Sequence, residues 1–179
     1  QADGWYLRSD IIWSKPNPMP ESVADRPTKA HEYVFLLTKN PQYYYDADAI
    51  REPASNAGAV ISLGEKSFAK RQAKEANVSP SGNGLSDTYI VPDGRNKRSV
   101  WEVTTKPYPE AHFATYPEKL VEPCILAGCP PVGTVLDPFV GSGTTLAVAQ
   151  RLGRQGVGAD INEEYLSLAS RRLGNISIP

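Results

Sequence analysis

The sequence predicts an α/β protein built on a mostly parallel sheet flanked by helices. Three features of residues 133–174 lead to this prediction: strand-like and helix-like segments alternate, a glycine-rich loop follows the first strand, and an isolated acid, Asp160, follows the second. Strand, helix, strand and helix in succession are typical of a parallel sheet, because each helix carries the chain back to the same edge.

Two strands are expected in the first fifty residues. The runs "SDIIWS" and "HEYVFLLTK" are rich in β-branched and aromatic side chains, and a proline-punctuated loop, "KPNPMPESVADRPTKA", separates them. Residues 51–100 differ: they are polar and locally basic, with eight Lys or Arg against five Asp or Glu. We expect residues 1–179 to form a single domain in which residues 52–100 are a variable insertion.

Recognisable helix and strand patterns resume after residue 107. The segment "YPEKLVEPCILAG" predicts a helix that ends at Gly128, with one face formed by Leu120, Pro123, Cys124 and Ala127. Next, "TVLDPF" predicts a buried strand, "TTLAVAQRLG" a helix and "GVGADI" a second strand. "NEEYLSLASRRLG" predicts a final helix with Asn162 as its N-cap and Gly174 just past its end.

Composition limits the classes of function. The net charge is −1 and the pI about 6.2, so a nucleic-acid partner would have to bind a local basic patch. Cys124 and Cys129 with only two His are too few ligands for structural zinc, and we expect reduced core thiols. No run approaches the about 20 apolar residues of a membrane span, so we expect a cytoplasmic protein without a membrane partner. The chain starts at Gln1 without Met, and we expect it to be a piece of a longer protein.

The loop "DPFVGSGTT" lies where open α/β sheets bind ligands, between a strand and a helix. A nucleoside triphosphate would require a lysine after Gly143, where Thr144 stands. A dinucleotide would require a third glycine where Leu146 stands, and Asp137 would repel its pyrophosphate. S-adenosylmethionine carries an ammonium and a sulfonium and no phosphate, so it suits Asp137 better, with Asp160 available for ribose hydroxyls.

A simpler interpretation of the same residues stays open. Gly141 and Gly143 would merely form a tight turn, and Asp160 would cap the helix that follows it. The combination of strand, acid, loop, helix, strand and acid favours the ligand site over this interpretation.

These segments resemble the N4-cytosine and N6-adenine DNA methyltransferases, in the group whose catalytic half precedes the cofactor half. "DPFVGSGTT" with "GADINEEY" is similar to that family's cofactor segment, and "AHFATYPEKLVEPCILAG" to the segment that contacts the methionine end of the cofactor. "DIIWSKPNPMPESVADRPTKAHEYVFLLTK" and "GRNKRSVWEV" also resemble family segments. The resemblance covers residues 5–50 and 94–173.

The resemblance implies a Rossmann-like, S-adenosylmethionine-dependent methyltransferase fold that is incomplete at its N-terminus. The residues expected to line the cofactor loop are Asp137, Pro138, Phe139, Gly141, Ser142, Gly143, Thr144 and Thr145, with Asp160 accepting from the ribose hydroxyls. The residues expected at the cofactor's amino-acid end are His112, Ala114, Thr115 and Pro117. Phe113 and Tyr116 depart from many members of the family.

The family's catalytic motif, Asp/Asn/Ser-Pro-Pro-aromatic, is expected before residue 5, and nothing in the chain matches it. "CPPV" at 129–132 lacks the acceptor and the aromatic, and "DPFV" at 137–140 belongs to the loop. A base amine is a poor nucleophile that needs proton acceptors before it attacks the sulfonium methyl. No catalytic residue is therefore assigned. We expect the C-terminal, cofactor-binding part of an enzyme acting on adenine N6 or cytosine N4, inactive alone, with another chain or segment supplying the motif. The alternative is a noncatalytic remnant that binds S-adenosylmethionine or DNA.

DNA contact is expected at two places. "GRNKRS" supplies Arg95, Lys97 and Arg98, and "SKPNP" supplies Lys15 and Asn17. Residue type alone leaves it equally open that these side chains are simply solvated, and the resemblance favours double-stranded DNA, with residues 52–100 as the recognition segment. Members of this group are often dimers and serve restriction-modification systems, so a homodimer is one expected assembly.

Overall fold

The computed structural model describes residues 3–62, 88–90, 94–105 and 116–174. The chain divides into two compact units, one of residues 1–50 with 98–179 and one of residues 51–97. The expectation that 52–100 is a DNA-recognition insertion stays a prediction.

Nine strands and three α-helices lie in the described ranges. The strands are β1 (Tyr6–Ser14), β2 (His31–Thr38), β3 (Glu52–Pro53), β4 (Val60–Ser62), β5 (Thr88–Ile90), β6 (Gly94–Arg95), β7 (Val100–Glu102), β8 (Thr134–Asp137) and β9 (Gln155–Gly158). The helices are α1 (Glu118–Gly128), α2 (Thr144–Arg151) and α3 (Glu163–Leu173), with a short 3-10 turn at Asp48–Ile50. Within these ranges, no helix has the length and apolarity needed to cross a membrane.

The two strands expected near the N-terminus are confirmed as β1 and β2. They pair antiparallel, and β7 adds to β1 in parallel, which gives the order β2-β1-β7. Trp13 and Trp101 lie side by side on one face of this sheet and pack with Leu120 of α1 into a buried cluster. The indole N–H groups are satisfied by the carbonyls of Val103 and Arg98, each at 2.7 Å.

In the smaller unit, β3 pairs with β6 and β4 pairs with β5, both antiparallel. The pairing of β3 with β6 sets Glu52 opposite Arg95. The described part of this unit is therefore built from short two-stranded ladders.

The succession of strand, helix, strand and helix is confirmed at the C-terminal end. β8 and β9 pair in parallel, α2 connects them, and α3 follows. Asn162 caps α3 by accepting from the Glu164 N–H at 2.9 Å, and Gly174 closes the helix in the left-handed region at φ +61°. The α/β class agrees with the prediction.

Two sequence expectations are met only in part. Of the expected α1 face, Leu120 and Ala127 are buried and Cys124 packs against the tryptophan cluster, while Pro123 is half-buried and Ile125 is buried in addition. The strand "TVLDPF" was expected to be buried, whereas Leu136 is 66% exposed. Only the Val135 face of β8 is covered, by Ile125 of α1, Cys129 just after α1, and Val148 and Ala149 of α2.

Neither Cys124 nor Cys129 forms a disulfide bond; Cys129 is buried and Cys124 is half-buried. Among the described residues, no group of three or more His, Cys, Asp or Glu side chains is placed to hold a metal ion.

Candidate functional site

The glycine loop, residues 138–143, runs from the end of β8 to the start of α2. Gly143 has φ +81°, and a Cβ there would lie 3.0 Å from the Cβ of Ala169 on α3. That position therefore requires glycine both for its backbone conformation and for its close approach to α3. Gly141 has φ +50°, and a Cβ there would meet nothing within 4 Å, so the loop borders open space on that side.

Two half-buried acids hold this loop. Asp137, the last residue of β8, accepts on Oδ1 from the Phe139 N–H at 3.0 Å. Asp160 follows β9 and accepts on Oδ2 from the Gly141 N–H, and on Oδ1 from the Asn162 N–H, both at 2.9 Å. Asp160 thus connects the loop to the start of α3, while Asn162 is the helix cap. Each carboxylate retains acceptor capacity, because its two oxygens offer about four lone-pair sites.

The remaining backbone of the loop is also engaged internally. The Val140 N–H donates to the Ala159 carbonyl and the Gly143 N–H donates to the Val140 carbonyl, each at 2.9 Å. With the two N–H groups held by Asp137 and Asp160, four N–H groups of the loop already have acceptors. A phosphate-binding loop instead directs such groups at its ligand. The geometry therefore disfavours an anion and leaves two carboxylates facing the loop.

Tyr116 links the first acid to the start of α2. Its hydroxyl lies 3.0 Å from Asp137 Oδ2 and 2.5 Å from Thr145 Oγ1. Burial raises the pKa of Tyr116 to about 12, with the Asp137 carboxylate adding to the rise and the Thr145 hydroxyl opposing it. The phenol is therefore protonated at neutral pH and donates to Asp137.

Both threonines at the start of α2 are buried and engaged. Thr145 meets Tyr116, and Thr144 Oγ1 accepts from Arg172 Nη1 of α3 at 3.1 Å. Arg172 also pairs through Nη2 with Glu118 Oε1 of α1 at 2.7 Å. Thr144 thus links the end of the loop to α3 through Arg172, and Thr145 links it to Tyr116. The contact of both threonines with a cofactor stays a prediction.

Ser142 supplies a different kind of group. Its side chain is 5% exposed, and its Oγ is a buried oxygen without a hydrogen-bond partner among the described residues. A buried hydroxyl without a partner is costly, by about 1–3 kcal/mol. Such a group is an available donor or acceptor at the loop.

Apolar side chains flank the two acids. Phe139 is 84% exposed beside Asp137, and Ile161 is fully exposed beside Asp160. Both lie at the carboxyl ends of the paired strands β8 and β9. They would gain from being covered by a flat apolar surface, because burial of such side chains is worth about 1.5–3 kcal/mol each.

The position where a dinucleotide fingerprint carries its third glycine is filled by Leu146. The space for this leucine comes from β9, because a Cβ on Gly156 or Gly158 would lie 2.9 Å from Leu146 side-chain carbons. Gly158 is also crowded by Val140, whose Cγ2 would lie 2.7 Å from its Cβ. Close packing of helix on strand is thus achieved by glycines in the strand.

Of the residues expected at the cofactor's amino-acid end, His112, Ala114 and Thr115 lie outside the described residues, as does Phe113. Pro117 is described: it is buried and precedes the first turn of α1 with φ −73°. Its backbone is preset for a helix start, since proline fixes φ near this value.

The two expected DNA contacts in the larger unit have protein partners. Lys15 forms an ion pair with Glu32 and lies over the Trp13 ring at 4.4 Å. Asn17 donates from Nδ2 to the Thr105 carbonyl at 3.1 Å and accepts on Oδ1 from the Thr105 N–H at 3.0 Å. Asn17 therefore fixes the loop after β1 to the segment after β7.

In the smaller unit, Arg95 and Lys97 both pair with Glu52, at 3.4 Å and 3.8 Å. Arg98 belongs to the larger unit, where its carbonyl accepts from the Trp101 indole. Assignment of these residues to DNA binding stays a prediction.

Sequence analysis missed three contributors to the loop: Tyr116, Arg172 and Gly158. Tyr116 was noted only as a departure from the family. Arg172 has the sequence signature of a basic residue in the last turn of a helix, which conceals its contact with the loop. The alternating glycines of "GVG" at 156–158 were the one local signal of close packing.

Comparison with known proteins gives matches over almost the whole chain. The N6/N4 family model, described as DNA methylase, matches residues 1–171. The type II methyltransferase M.SmaI of Serratia marcescens is 47% identical over 173 residues, which are 97% of this chain and 48% of the relative. M.Cfr9I of Citrobacter freundii is 46% identical over 97% of this chain and 46% of the relative. The chain thus spans about half the length of these curated relatives.

Solved structures show a similar fold at low identity. The PvuII DNA methyltransferase (cytosine-N4-specific) has a TM-score of 0.63 and 20% identity, over 97% of this chain and 54% of that one. The M1.HpyAVI-SAM complex has a TM-score of 0.59 and 21% identity, over 97% of this chain and 65% of that one. These likenesses support the predicted Rossmann-like methyltransferase fold.

Proposed function

We propose, from the premise that this chain belongs to the N6/N4 DNA methylase family, that it is the S-adenosylmethionine-binding part of a DNA methyltransferase. The proposed reaction moves a methyl group from S-adenosylmethionine to an exocyclic amine of adenine (N6) or cytosine (N4) in DNA. The observation that carries the proposal is the glycine loop between β8 and α2, held by the carboxylates of Asp137 and Asp160.

The chemistry of the loop fits this ligand. S-adenosylmethionine brings an ammonium and two ribose hydroxyls that can donate to carboxylates, and a sulfonium whose positive charge a carboxylate attracts. Asp160 would accept from the ribose hydroxyls, and Asp137 would favour the cationic end. The open side of Gly141 and the unpartnered Ser142 hydroxyl leave room and a polar group for the ligand.

Phe139 and Ile161 would provide the apolar contacts. Each lies next to one of the two acids and is exposed. Covering them with the adenine ring would bury apolar area that now faces water. When bound, S-adenosylmethionine supplies an electrophilic methyl group, and these residues hold and orient it.

Turnover needs the proton acceptors that the family's catalytic motif supplies. No stretch of the 179 residues matches that motif. We propose that this chain alone transfers methyl groups slowly or not at all, and that another segment or chain supplies the acceptors. The missing motif equally favours a second candidate, a protein that binds S-adenosylmethionine or DNA without turnover. A methyl-transfer assay on the isolated chain distinguishes the proposal from a self-sufficient enzyme, which would show sequence-specific turnover.

Calorimetric titration tests the ligand assignment. Asp160→Asn should weaken S-adenosylmethionine binding by about 10-fold or more, because a charge-assisted hydrogen bond is worth about 1.5–3 kcal/mol. Asp25→Asn, an exposed acid in the loop between β1 and β2, is the matched control and should bind like the parent chain. Equal affinity of the parent and Asp160→Asn would refute the assignment.

DNA binding has its own test in the smaller unit. Double-stranded DNA is the proposed partner, and Arg95 and Lys97 are proposed phosphate contacts that Glu52 holds in place. Arg95→Gln should weaken duplex binding measured by fluorescence anisotropy and lower the salt slope by about 1. Arg26→Gln, which breaks an exposed pair with Glu21, is the control and should leave both unchanged. A slope unaffected by Arg95→Gln would remove Arg95 from the DNA contacts.

A further inference from the structure

Arg172 of α3 contacts the end of the glycine loop. Its Nη1 donates to Thr144 Oγ1 at 3.1 Å and to the Ser142 carbonyl oxygen at 3.5 Å. Ser142 and Thr144 stand where the loop passes into the first turn of α2, and both are buried. The Arg172 side chain is itself only 18% exposed, so water competes little for these hydrogen bonds.

The same guanidinium also reaches the start of α1. Its Nη2 donates to Glu118 Oε1 at 2.7 Å, and Glu118 is the first residue of α1, two positions after Tyr116. The Tyr116 hydroxyl in turn donates to Asp137 Oδ2. The segment 116–118 is therefore joined to the loop region twice, once by Tyr116 itself and once by Arg172 through Glu118. Two attachments fix the direction of the segment, because a single one would leave it free to pivot.

The charge of Arg172 is balanced where it lies. Glu118 accepts from Arg172 on Oε1 and from Arg151 on Oε2, both at 2.7 Å. Arg151 also pairs with Glu122 at 3.3 Å. Together these two arginines and two glutamates carry no net charge, so their field on a nearby cation largely cancels. An effect of Arg172 on a cationic ligand would therefore come from the groups that it holds in place.

We infer that Arg172 is a positioning residue for the end of S-adenosylmethionine that carries the ammonium. It holds the segment 116–118 against the start of α2, so that Tyr116 keeps the Asp137 carboxylate in a fixed orientation. The inference rests on the proposed function, which assigns Asp137 to the cationic end of the ligand. A carboxylate fixed before the ligand arrives binds it at lower cost.

The two ends of the ligand should depend on Arg172 to different extents. Asp160, the proposed acceptor for the ribose hydroxyls, is held by the N–H groups of Gly141 and Asn162, both at 2.9 Å. Neither bond uses the guanidinium of Arg172. Its loss should therefore weaken ligands that carry the ammonium and spare ligands that carry only the adenosine part. A merely structural role would lower the free energy of unfolding without changing the relative affinities of the folded chain.

Two thioether ligands separate these ends in calorimetric titrations. S-adenosylhomocysteine carries the ammonium, whereas methylthioadenosine has the same adenosine and sulfur without the amino-acid end. Arg172→Met keeps a long unbranched side chain and removes the guanidinium. We expect it to bind S-adenosylhomocysteine about 3–10-fold more weakly than the parent chain does, with the affinity for methylthioadenosine unchanged. Arg172→Lys should recover part of the loss, because an ammonium keeps the charge but not the fork of donors.

Arg151→Met is the matched control, because Arg151 pairs with the other oxygen of Glu118 and its side chain is 50% exposed. It should leave both affinities unchanged, while urea denaturation reports the free energy of unfolding of each variant. Equal changes for the two thioethers in Arg172→Met, or no change, would overturn the inference and leave the proposed function standing. If Arg172→Met does not fold, the same comparison in Arg172→Lys decides. A folded parent chain that binds neither thioether would overturn the proposed function, and the inference with it.

Discussion

At the scale of single residues, the candidate site depends on a few polar atoms with defined partners. Asp137 is held from two directions, by the Phe139 N–H and by the Tyr116 hydroxyl. Asp160 is held by the N–H groups of the loop and of the α3 cap. Carboxylates that are fixed in this way need no rearrangement to meet a cationic ligand, and this preorganisation lowers the cost of binding.

Tyr116→Phe tests the contribution of the phenol. Removing the hydroxyl frees Asp137 Oδ2 and Thr145 Oγ1 while retaining the ring, so we expect S-adenosylmethionine affinity to fall about 3–10-fold with the fold intact. Calorimetry gives the affinity, and far-ultraviolet circular dichroism checks the fold. Tyr44→Phe, at an exposed tyrosine after β2, is the control and should bind like the parent. An unchanged affinity in Tyr116→Phe would show that Asp137 is oriented without the phenol.

Tyr116 also makes the free energy of unfolding depend on pH in the alkaline range. The folded pKa of Tyr116 is about 12 against an ordinary value of 10. Its stabilising effect is therefore complete below about pH 10 and is lost as pH rises toward 12, because the unfolded chain releases the proton first. In urea denaturation between pH 8 and 11.5, the parent should lose unfolding free energy faster than Tyr116→Phe above pH 10. Parallel curves would contradict a raised pKa.

The sequence predicts a residue's place in the loop where the side chain acts within its own segment, whereas the cofactor roles of these residues stay predictions. Asp137, Asp160 and the two loop glycines are identifiable because their spacing from strand to helix is local. Tyr116 lies 21 residues from Asp137 along the chain, and no local pattern announces that hydrogen bond.

At the scale of elements, the packing of α2 on β9 positions the loop. Leu146 fills space that Gly156 and Gly158 leave free, and Val140 lies over Gly158. The loop, the helix and the strand are therefore fixed by one contact region rather than by the loop sequence alone.

Gly158→Ala should disturb this region. Its Cβ would come within 2.9 Å of Val140 Cβ and Leu146 Cδ1, and overpacking of this kind costs about 1–3 kcal/mol. We expect the free energy of unfolding to fall by that amount in urea denaturation. Gly128→Ala, at the end of α1 where a Cβ meets nothing within 4 Å, is the matched control. It should be neutral or raise stability by up to about 1 kcal/mol. Equal stabilities of the two variants would refute the packing argument.

The sequence predicts well which helices and strands exist, and less well which strands pair with one another. The strands β1, β2, β8 and β9 and all three described helices follow from periodicity, caps and glycines. Which strands pair, and whether a strand is covered on one face or two, depends on distant segments. The exposure of Leu136 in a strand expected to be buried is the clearest case.

At the scale of the whole molecule, the family match must be considered together with the share of the relatives' length that this chain spans. The chain matches the N6/N4 family over residues 1–171 and spans about half of its curated relatives. The activity of the whole relatives, and the partners that they use, therefore stay proposals for this chain.

The central claim is that the loop between β8 and α2 binds a nucleoside that carries an ammonium group and no phosphate. Calorimetric titration of the chain with S-adenosylmethionine, S-adenosylhomocysteine and ATP, under the same conditions, tests this most directly. Binding of the first two and no binding of ATP is the predicted result, because the two acids attract an ammonium and four N–H groups of the loop already have acceptors. Tighter binding of ATP, or binding of none of the three by the folded chain, would contradict it.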